Sequence, residues 1–308
     1  MSKTGRELYE QLNSLLTEQR NSNTEKIDLA DSLEIVTLIN EEDRKVADAV
    51  QKKLQVIADI VELTAQKLSE GGRLLYFGAG TSGRLGILDS AECPPTFGTD
   101  PTVVQGFIAG GKQAVFKAKE GAEDHENNGA DAVDAANVTD TDIVIGLAAS
   151  GRTPYVVGAL KEANKRGALN CLVTTVSRDQ LDFEPDHVID VPVGPEVIMG
   201  STRMKSATAQ KMVLNMITTG AMIRLGKIYE NVMVDLQLTN NKLVERAKRI
   251  ICYFTECNYE EAASILEEAG GHVKTALVMK LLGVSKMNAV QLLEKHDGFV
   301  RKVIQEEK

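Results

Sequence analysis

Short apolar runs alternate with longer amphipathic stretches along the first two thirds of the chain, and this alternation predicts the fold. Residues 33–69 predict two helices, the second carrying an apolar residue at every third or fourth position from Val46 to Val61. Several short apolar runs follow, each typical of a buried strand. They span residues 74–77, 102–108, 143–147, 171–175 and 188–191. Helix-compatible stretches separate most of them, so we expect the α/β class, with a doubly wound parallel sheet covered by helices on both faces.

The carboxy-terminal third has a different pattern. Residues 201–225 predict a long helix whose apolar side chains surround it almost completely, which indicates burial on all sides at a subunit interface. Beyond residue 245 the pattern predicts short helices, one of them with a capping pair formed by Asn258 and Glu261. We therefore predict one domain over residues 1–245, which holds the amino-terminal helices and the sheet, and a small helical domain over residues 246–308.

Composition narrows the classes of partner. The 308 residues are 43% hydrophobic and 26% charged, as in ordinary globular proteins. Asp and Glu total 44 against 35 Lys and Arg, and the net charge of -9 argues against nucleic acid as a partner. No run approaches the ~18 apolar residues of a membrane span, and the first residues lack the apolar core of a signal peptide. We expect a cytoplasmic protein with neither a nucleic-acid nor a membrane partner.

Cysteine spacing argues against both a disulfide framework and a metal site. The four cysteines show no framework spacing, so reduced thiols are expected. Cys252 and Cys257, with His272 downstream, lack the spacing of a zinc knuckle and a fourth ligand. We predict no metal site.

A glycine-rich loop follows the first predicted strand. Gly78, Gly80 and Gly83 satisfy the dinucleotide pattern G-x-G-x-x-G, so an NAD-dependent oxidoreductase is one candidate. A dinucleotide site also needs an acidic residue near the end of the second strand, and residues 104–110 offer none. The loop instead carries the hydroxyls of Thr81 and Ser82 where a helix begins, which favours a phosphate.

Two further loops have the same character, and the three together predict a cradle for one monophosphate and the hydroxyls of its sugar. Each lies at a predicted helix start, where backbone N–H groups favour an anion. The alternative is that the hydroxyls only cap helices. The candidate binding residues are Thr81 and Ser82 in the first loop, Ser150, Gly151, Arg152 and Thr153 in the second, and Ser201, Thr202 and Lys205 in the third.

Several long segments resemble the N-acetylmuramic acid 6-phosphate etherase family. They are "TEQRN", "NEEDRKVADAV", "YFGAGTSGRLGILDSAECPPTFG", "EGAED", "AASGRTPYV" and "GSTRMKSATAQKMVLNM". The likeness to the family extends over nearly the whole chain. The resemblance implies a sugar isomerase domain, a doubly wound sheet that binds phosphosugars, followed by a small ubiquitin-associated-like helical domain. The regulatory protein of glucokinase is a relative with the same layout.

The resemblance also implies an activity and two catalytic residues. A lyase of this family cleaves the D-lactyl ether of N-acetylmuramic acid 6-phosphate by elimination and water addition, without metal or organic cofactor, in muramic acid catabolism and cell-wall recycling. The glutamate of "ECPP" is the family's proton donor, which corresponds to Glu92, and the second glutamate of "EGAED", Glu123, takes part in acid and base steps. Because Ala91, Cys93 and Pro94 flank Glu92, we expect desolvation to raise its pKa.

The separation between the first loop and Glu92 has three possible explanations. A helix running from Ser82 to Glu92 separates the phosphate loop from the acid by ~15 Å. Either the helix breaks early, or the loops at 150 and 201 hold the phosphate, or a second subunit completes the site. We favour the last, a homodimer with its site near the subunit interface.

A noncatalytic phosphosugar-binding regulator is the alternative function.

Overall fold

The computed structural model describes residues 15–307, and within them the chain forms two compact units. The first unit comprises residues 15–90 and 102–217, and the second comprises residues 91–101 and 218–307. The predicted domain division at residue 245 lies inside a helix of the second unit and stays a prediction. The first residues, on which the expected cytoplasmic location rests, lie outside the described part of the chain.

Twelve α-helices and seven strands are described between residues 15 and 307. The helices are α1 (Ser32–Gln51), α2 (Leu54–Ser69), α3 (Gly80–Phe97), α4 (Gln113–Phe116), α5 (Glu126–Ala135), α6 (Pro154–Lys165), α7 (Lys205–Arg224), α8 (Asn241–Thr255), α9 (Tyr259–Glu268), α10 (Val273–Leu282), α11 (Lys286–Lys295) and α12 (Val300–Glu307). The strands are β1 (Leu74–Gly78), β2 (Val104–Ile108), β3 (Ile143–Leu147), β4 (Leu169–Thr174), β5 (His187–Asp190), β6 (Ile228–Tyr229) and β7 (Val232–Met233).

The two predicted amino-terminal helices are confirmed as α1 and α2, but their apolar stripe is not on one helix. Val46 and Val50 are buried on α1, whereas Ile57 is buried on α2. A turn at residues 52–53 separates the helices, and Leu54 directly after it is 47% exposed. The stripe therefore belongs to two helices, because a turn divides the chain within it although the apolar spacing continues.

The predicted parallel sheet is confirmed, with strand order β2-β1-β3-β4-β5 and every neighbouring pair parallel. The central strands β1 and β3 are buried along their whole length, as expected for a sheet covered on both faces. Gly146 of β3 lets α6 approach closely, since a Cβ there would lie 2.6 Å from Cγ1 of Val156. In this strand order the topological switch point lies between β1 and β3, where ligands of open α/β sheets bind.

The second unit is built mainly of helices. Helices α8 to α12 and the β6–β7 hairpin enclose a separate apolar core that includes Ala247, Ile251 and Leu277. Asn258 caps α9 as predicted, with its side-chain oxygen accepting from Glu261 N at 2.9 Å. Among residues 15–307 no single helix is long and apolar enough to span a membrane, although the sharply bent pair α10 and α11 meets the length and hydropathy criteria when taken together.

The long helix predicted over residues 201–225 is observed as α7, and within the single chain its side chains are not buried on all sides. Val213, Leu214 and Ile217 are buried, whereas Thr208, Lys211, Thr219 and Ile223 are exposed, the last by 42%. The exposed residues recur at intervals of three, four and eight positions and so lie along one side of the helix. In the single chain α7 therefore has one open side.

Candidate active site

The glycine-rich loop between β1 and α3 is as tight as its sequence indicates. Only Ala79 separates the strand from the helix, and Gly80 adopts a positive φ of 53°. The first hydrogen bond of the helix runs from Gly83 N to the Ala79 carbonyl at 3.1 Å. The N–H groups of Gly80, Thr81 and Ser82 precede that bond, so they have no partner within the helix and lie at its positive end.

The second predicted loop lies beyond β3, directly beside β1 in the sheet. Gly151 has a φ of 70°, and its amide donates to the Ala148 carbonyl at 2.9 Å. Ser150 Oγ accepts from Arg152 N at 3.4 Å, which leaves its hydroxyl proton directed elsewhere. The Arg152 guanidinium turns towards residues 178–182, where Nε donates to the Gln180 carbonyl at 3.1 Å and another nitrogen lies 3.3 Å from Asp182. The first two loops thus meet at the switch point of the sheet.

The third loop is brought to the same edge by the start of α7. Ser82 Oγ lies 2.7 Å from Oε1 of Gln210, and the hydroxyl oxygens of Thr175 and Ser206 are 3.0 Å apart, within hydrogen-bond distance. Ser201 and Thr202 form the turn before α7, in which their carbonyls accept from Met204 N and Ala207 N. All three predicted loops therefore lie at the carboxyl end of the sheet in the first unit.

The start of α7 already holds an anion from the chain itself. Both carboxylate oxygens of Glu196 accept backbone N–H bonds, from Lys205 and from Ser206, each at 2.9 Å. Glu196 is completely buried. A carboxylate that caps the first turn satisfies the amides that a phosphate otherwise uses.

Lys205 points away from the loops. Its side chain is 1% exposed, and its ammonium donates to Oε2 of Glu42 on α1 at 2.7 Å. Burial alone raises the pKa of Glu42, but hydrogen bonds from Lys205, Lys45 and two asparagines outweigh it and lower the pKa to about 2. The predicted phosphate contact of Lys205 stays a prediction, and the observed contact is a buried ion pair between α1 and α7.

Glu123 lies in a turn before α5, and its backbone is fixed beside the second loop. Its carbonyl accepts from Tyr155 N, in the first turn of α6, at 3.0 Å. The side chain is exposed, yet partial desolvation, together with the charges of Asp124 and Glu120, raises the pKa of Glu123 above its ordinary value. A carboxyl with a raised pKa exchanges protons more readily near neutral pH, as acid and base steps require.

Glu92 is placed differently from expectation. It lies on α3 and belongs to the second unit, and its side chain is exposed, so the expected burial is wrong for this chain. Its neighbour Cys93 is 2% exposed, which shows that burial on this helix depends on the face rather than on apolar neighbours in the sequence. Helix α3 continues past Pro94 and Pro95 to Phe97. An early helix break therefore does not shorten the ~15 Å between residues 82 and 92.

Three polar residues that support the site were missed by the sequence analysis. Glu42, Glu196 and Gln210 are at least 97% buried and bonded to predicted loop residues or their helix. Glu42 and Gln210 lie inside the quoted segments "NEEDRKVADAV" and "GSTRMKSATAQKMVLNM", but nothing in the local pattern separates them from solvated residues. Among residues 15–307 no group of three or more His, Cys, Asp or Glu is arranged to hold a metal ion.

Comparisons with known proteins agree with this architecture. Residues 111–220 match the SIS domain model, and residues 55–164 match the model of the glucokinase regulatory protein N-terminal SIS domain. The N-acetylmuramic acid 6-phosphate etherase of Salinibacter ruber is 54% identical over 301 residues, covering 97% of this chain and 96% of that protein. The etherases of Clostridium beijerinckii and Photorhabdus laumondii are 52% and 51% identical, over 96% and 95% of this chain and 97% of each protein.

Proposed function

The chain belongs to the N-acetylmuramic acid 6-phosphate etherase family and is an enzyme of that type, a lyase; from this premise we propose how its residues perform the reaction. Its substrate is a small phosphosugar, and the reaction cleaves the D-lactyl ether of N-acetylmuramic acid 6-phosphate to give N-acetylglucosamine 6-phosphate and D-lactate. The observation that carries this function is identity of about one residue in two with etherases over nearly the full chain. A noncatalytic regulator is not favoured, because that likeness is to enzymes.

Ether chemistry explains why two carboxyl groups are needed. An alkoxide is a poor leaving group, so direct hydrolysis of the ether is slow. In the opened sugar the aldehyde acidifies the C2 proton, so a base removes it while an acid protonates the departing lactyl oxygen at C3. Water then adds across the double bond. Each proton transfer requires a side chain within hydrogen-bond reach of the reacting atom, and it contributes typically ~10²–10⁴-fold.

We assign these roles to Glu92 and Glu123. Glu92 is the acid that protonates the leaving oxygen, and Glu123 takes part in the acid and base steps. The fixed backbone of Glu123 beside the second loop and its raised pKa support this assignment. Two carboxyl groups perform opposite proton transfers when their surroundings separate their pKa values. The elimination route requires no metal or organic cofactor.

The sugar phosphate binds at the hydroxyl-rich loops of the first unit. Three features support this: the loops share one edge of the sheet, they flank its switch point, and helices begin there. The start of α7 contributes least, because Glu196 caps it. The loops after β1 and β3 are therefore the principal binding elements.

We further propose that the enzyme is a homodimer whose site lies near the subunit interface. The open side of α7 and the exposed carboxyl of Glu92 support this proposal. The continuity of α3 supports it too, because Glu92 stays ~15 Å along the helix from Ser82 of the same chain. Mixed dimers of Glu92→Gln and Ser150→Ala chains are expected to show higher kcat/KM than the mean of the two variant homodimers, because one of the two shared sites then holds both native residues. The absence of this gain in verified mixed dimers contradicts a shared site.

The decisive test of the reaction is turnover in deuterated water. The enzyme is incubated with N-acetylmuramic acid 6-phosphate, D-lactate is measured enzymatically, and deuterium at C2 of the product is measured by mass spectrometry. Lactate release with label at C2 is the expected result. Release of lactate without label contradicts proton abstraction at C2 with solvent exchange.

Single substitutions test whether Glu92 and Glu123, unlike a neighbouring glutamate, are required for turnover. Glu92→Gln and Glu123→Gln are expected to lower kcat at least 100-fold, because each removes one proton transfer. The matched control is Glu120→Gln in the same acidic turn, which is expected to keep activity within a few fold. Turnover that survives both amide substitutions in the folded enzyme contradicts the assignment.

The cytoplasmic location is also our proposal, and it is tested by cell fractionation with an antibody against the chain. Activity confined to the soluble cytoplasmic fraction is the expected result.

A further inference from the structure

Gln210 joins the first binding loop to the sheet. It lies on α7, is 1% exposed, and accepts a hydrogen bond from Ser82 Oγ at 2.7 Å through its side-chain oxygen. Its side-chain nitrogen donates to the Val173 carbonyl of β4 at 3.4 Å. One buried amide thus fixes the hydroxyl of a predicted phosphate-binding residue.

The direction of these two bonds is determined by chemistry. A backbone carbonyl only accepts, so the amide nitrogen of Gln210 must face Val173 and its oxygen must face Ser82. Ser82 therefore has to donate its single hydroxyl proton to Gln210. The lone pairs of Ser82 Oγ remain, and they accept a hydrogen bond but cannot supply one.

Ser150 in the second loop has the opposite arrangement. Its Oγ accepts from Arg152 N, so its proton is available to a ligand. A phosphate monoester near neutral pH is largely a dianion and presents acceptor oxygens. A hydroxyl that can only accept therefore forms no hydrogen bond with a phosphate oxygen, whereas a hydroxyl with a free proton can donate one.

We propose that the hydroxyls of Ser82 and Ser150 bind different parts of the substrate, whatever the backbone N–H groups of the first loop contact. Ser82, oriented by Gln210, accepts a hydrogen bond from a donor group of the sugar, a hydroxyl or the acetamido N–H. Ser150 donates to the phosphate. Ser82 is thus a specificity residue for the sugar rather than a phosphate ligand, and Gln210 is a positioning residue that acts through it. This assignment rests on the proposed function, because it takes the ligand to be a phosphorylated amino sugar.

The test separates phosphate affinity from recognition of the sugar. Binding of inorganic phosphate is measured by calorimetry, and kcat/KM for N-acetylmuramic acid 6-phosphate is measured by D-lactate release. For Ser82→Ala we expect kcat/KM to fall about 2- to 10-fold, the worth of one neutral hydrogen bond. Its phosphate affinity should stay within about 2-fold of wild type. Ser150→Ala, the matched control, should lose about 10-fold or more in phosphate affinity, since its bond is to a charged group.

Gln210→Met tests the positioning role, because Met fills a similar volume and removes both bonds. We expect it to lower kcat/KM like Ser82→Ala, and the double variant to be no worse than the poorer single variant. A purely structural role predicts additive losses instead. Equal losses of phosphate affinity in Ser82→Ala and Ser150→Ala overturn the proposal, as does an additive double variant.

Failure of the proposed function gives a different result. If the wild-type enzyme releases no lactate, the proposed reaction is wrong. Calorimetry with inorganic phosphate compares the two serines independently of the reaction. If Ser82→Ala binds phosphate as well as wild type and Ser150→Ala binds it more weakly, the donor and acceptor assignment is supported. Unchanged circular dichroism spectra and melting temperatures establish that the variants are folded.

Discussion

Replacing Glu42 by glutamine removes the charge that balances a buried ammonium. Lys205 and Glu42 are 2.7 Å apart, with side chains 1% and 4% exposed. After the substitution the buried Lys205 faces a neutral amide in place of a carboxylate. Lys45, which also pairs with Glu42, is half-exposed and returns to solvent. We therefore expect most of the cost to come from Lys205.

The magnitude follows from the pKa of Glu42 and from the general cost of isolating a buried charge. Burial raises this pKa, but the surrounding hydrogen bonds lower it to about 2, from an ordinary value of 4.5. A depression of that size corresponds to about 3 kcal/mol of stability. Breaking a buried ion pair by removing one partner costs ~3–5 kcal/mol. We expect Glu42→Gln to lower the free energy of unfolding by about 3 kcal/mol.

The sign of the pH dependence follows from the same pKa. Because the folded pKa is below the unfolded one, the contribution is fully present above pH ~4.5 and is lost as the pH falls towards ~2. In wild type, stability therefore declines over this acid range. The Glu42→Gln variant lacks the part of the decline that Glu42 contributes, so the two stabilities converge at low pH.

Urea unfolding followed by circular dichroism measures these effects. The control is Glu126→Gln, which breaks the 2.8 Å pair with Lys161, where both side chains are about half-exposed. Exposed pairs contribute ~0–1 kcal/mol, so the control should differ little from wild type. The double variant Glu42→Gln with Lys205→Met should cost clearly less than the two single losses together. A Glu42→Gln loss no larger than that of the control, or full additivity, refutes the reasoning.

Three further predictions test packing, a second ion pair and the site. Gly83→Ala places a Cβ 2.7 Å from Cγ1 of Ile108, so it should lower the free energy of unfolding by about 1–3 kcal/mol in urea titrations. Asp142→Asn removes the buried partner of Arg73. The Arg73 guanidinium and other donors lower the pKa of Asp142 despite its burial. We expect the free energy of unfolding to fall by about 3 kcal/mol, and this difference from wild type to shrink in acid as the wild-type carboxyl is protonated. Asp124→Asn removes a charge that helps to raise the pKa of Glu123, so the acid limb of kcat/KM should move to lower pH, and an unmoved limb contradicts a role for that charge.

The regular part of the fold was predictable because its signals are local. The run from Ile143 to Leu147 was predicted at the bounds that the structure shows, since a buried parallel strand is apolar throughout. The capped start of α9 was also predicted, because Asn258 and Glu261 are three residues apart. The position of the turn between α1 and α2 was predicted wrongly, because no glycine or proline marks it and the apolar period continues through it.

The supporting residues of the site were not predictable, because their partners are distant in sequence. Glu42 and Lys205 are 163 residues apart, and Ser82 and Gln210 are 128 apart. The sequence around a helical glutamate is the same whether its side chain is solvated or forms a buried ion pair with a distant lysine. The expected burial of Glu92 is not observed for a related reason, since apolar neighbours in the sequence occupy other faces of a helix.

The pairing of residues 91–101 with the carboxy-terminal unit has a consequence for anyone who divides this protein. The polypeptide passes between the two units three times, so no single cut yields either one intact. A fragment ending at residue 217 keeps Cys93 and Phe97, which are buried in the whole chain, but loses residues 218–307, the rest of the unit to which they belong. Expression of the first unit alone thus requires a redesigned connection in place of residues 91–101, between β1 and β2. A gene fusion or deletion at residue 217 affects both units, because it also separates residues 91–101 from the rest of the second unit.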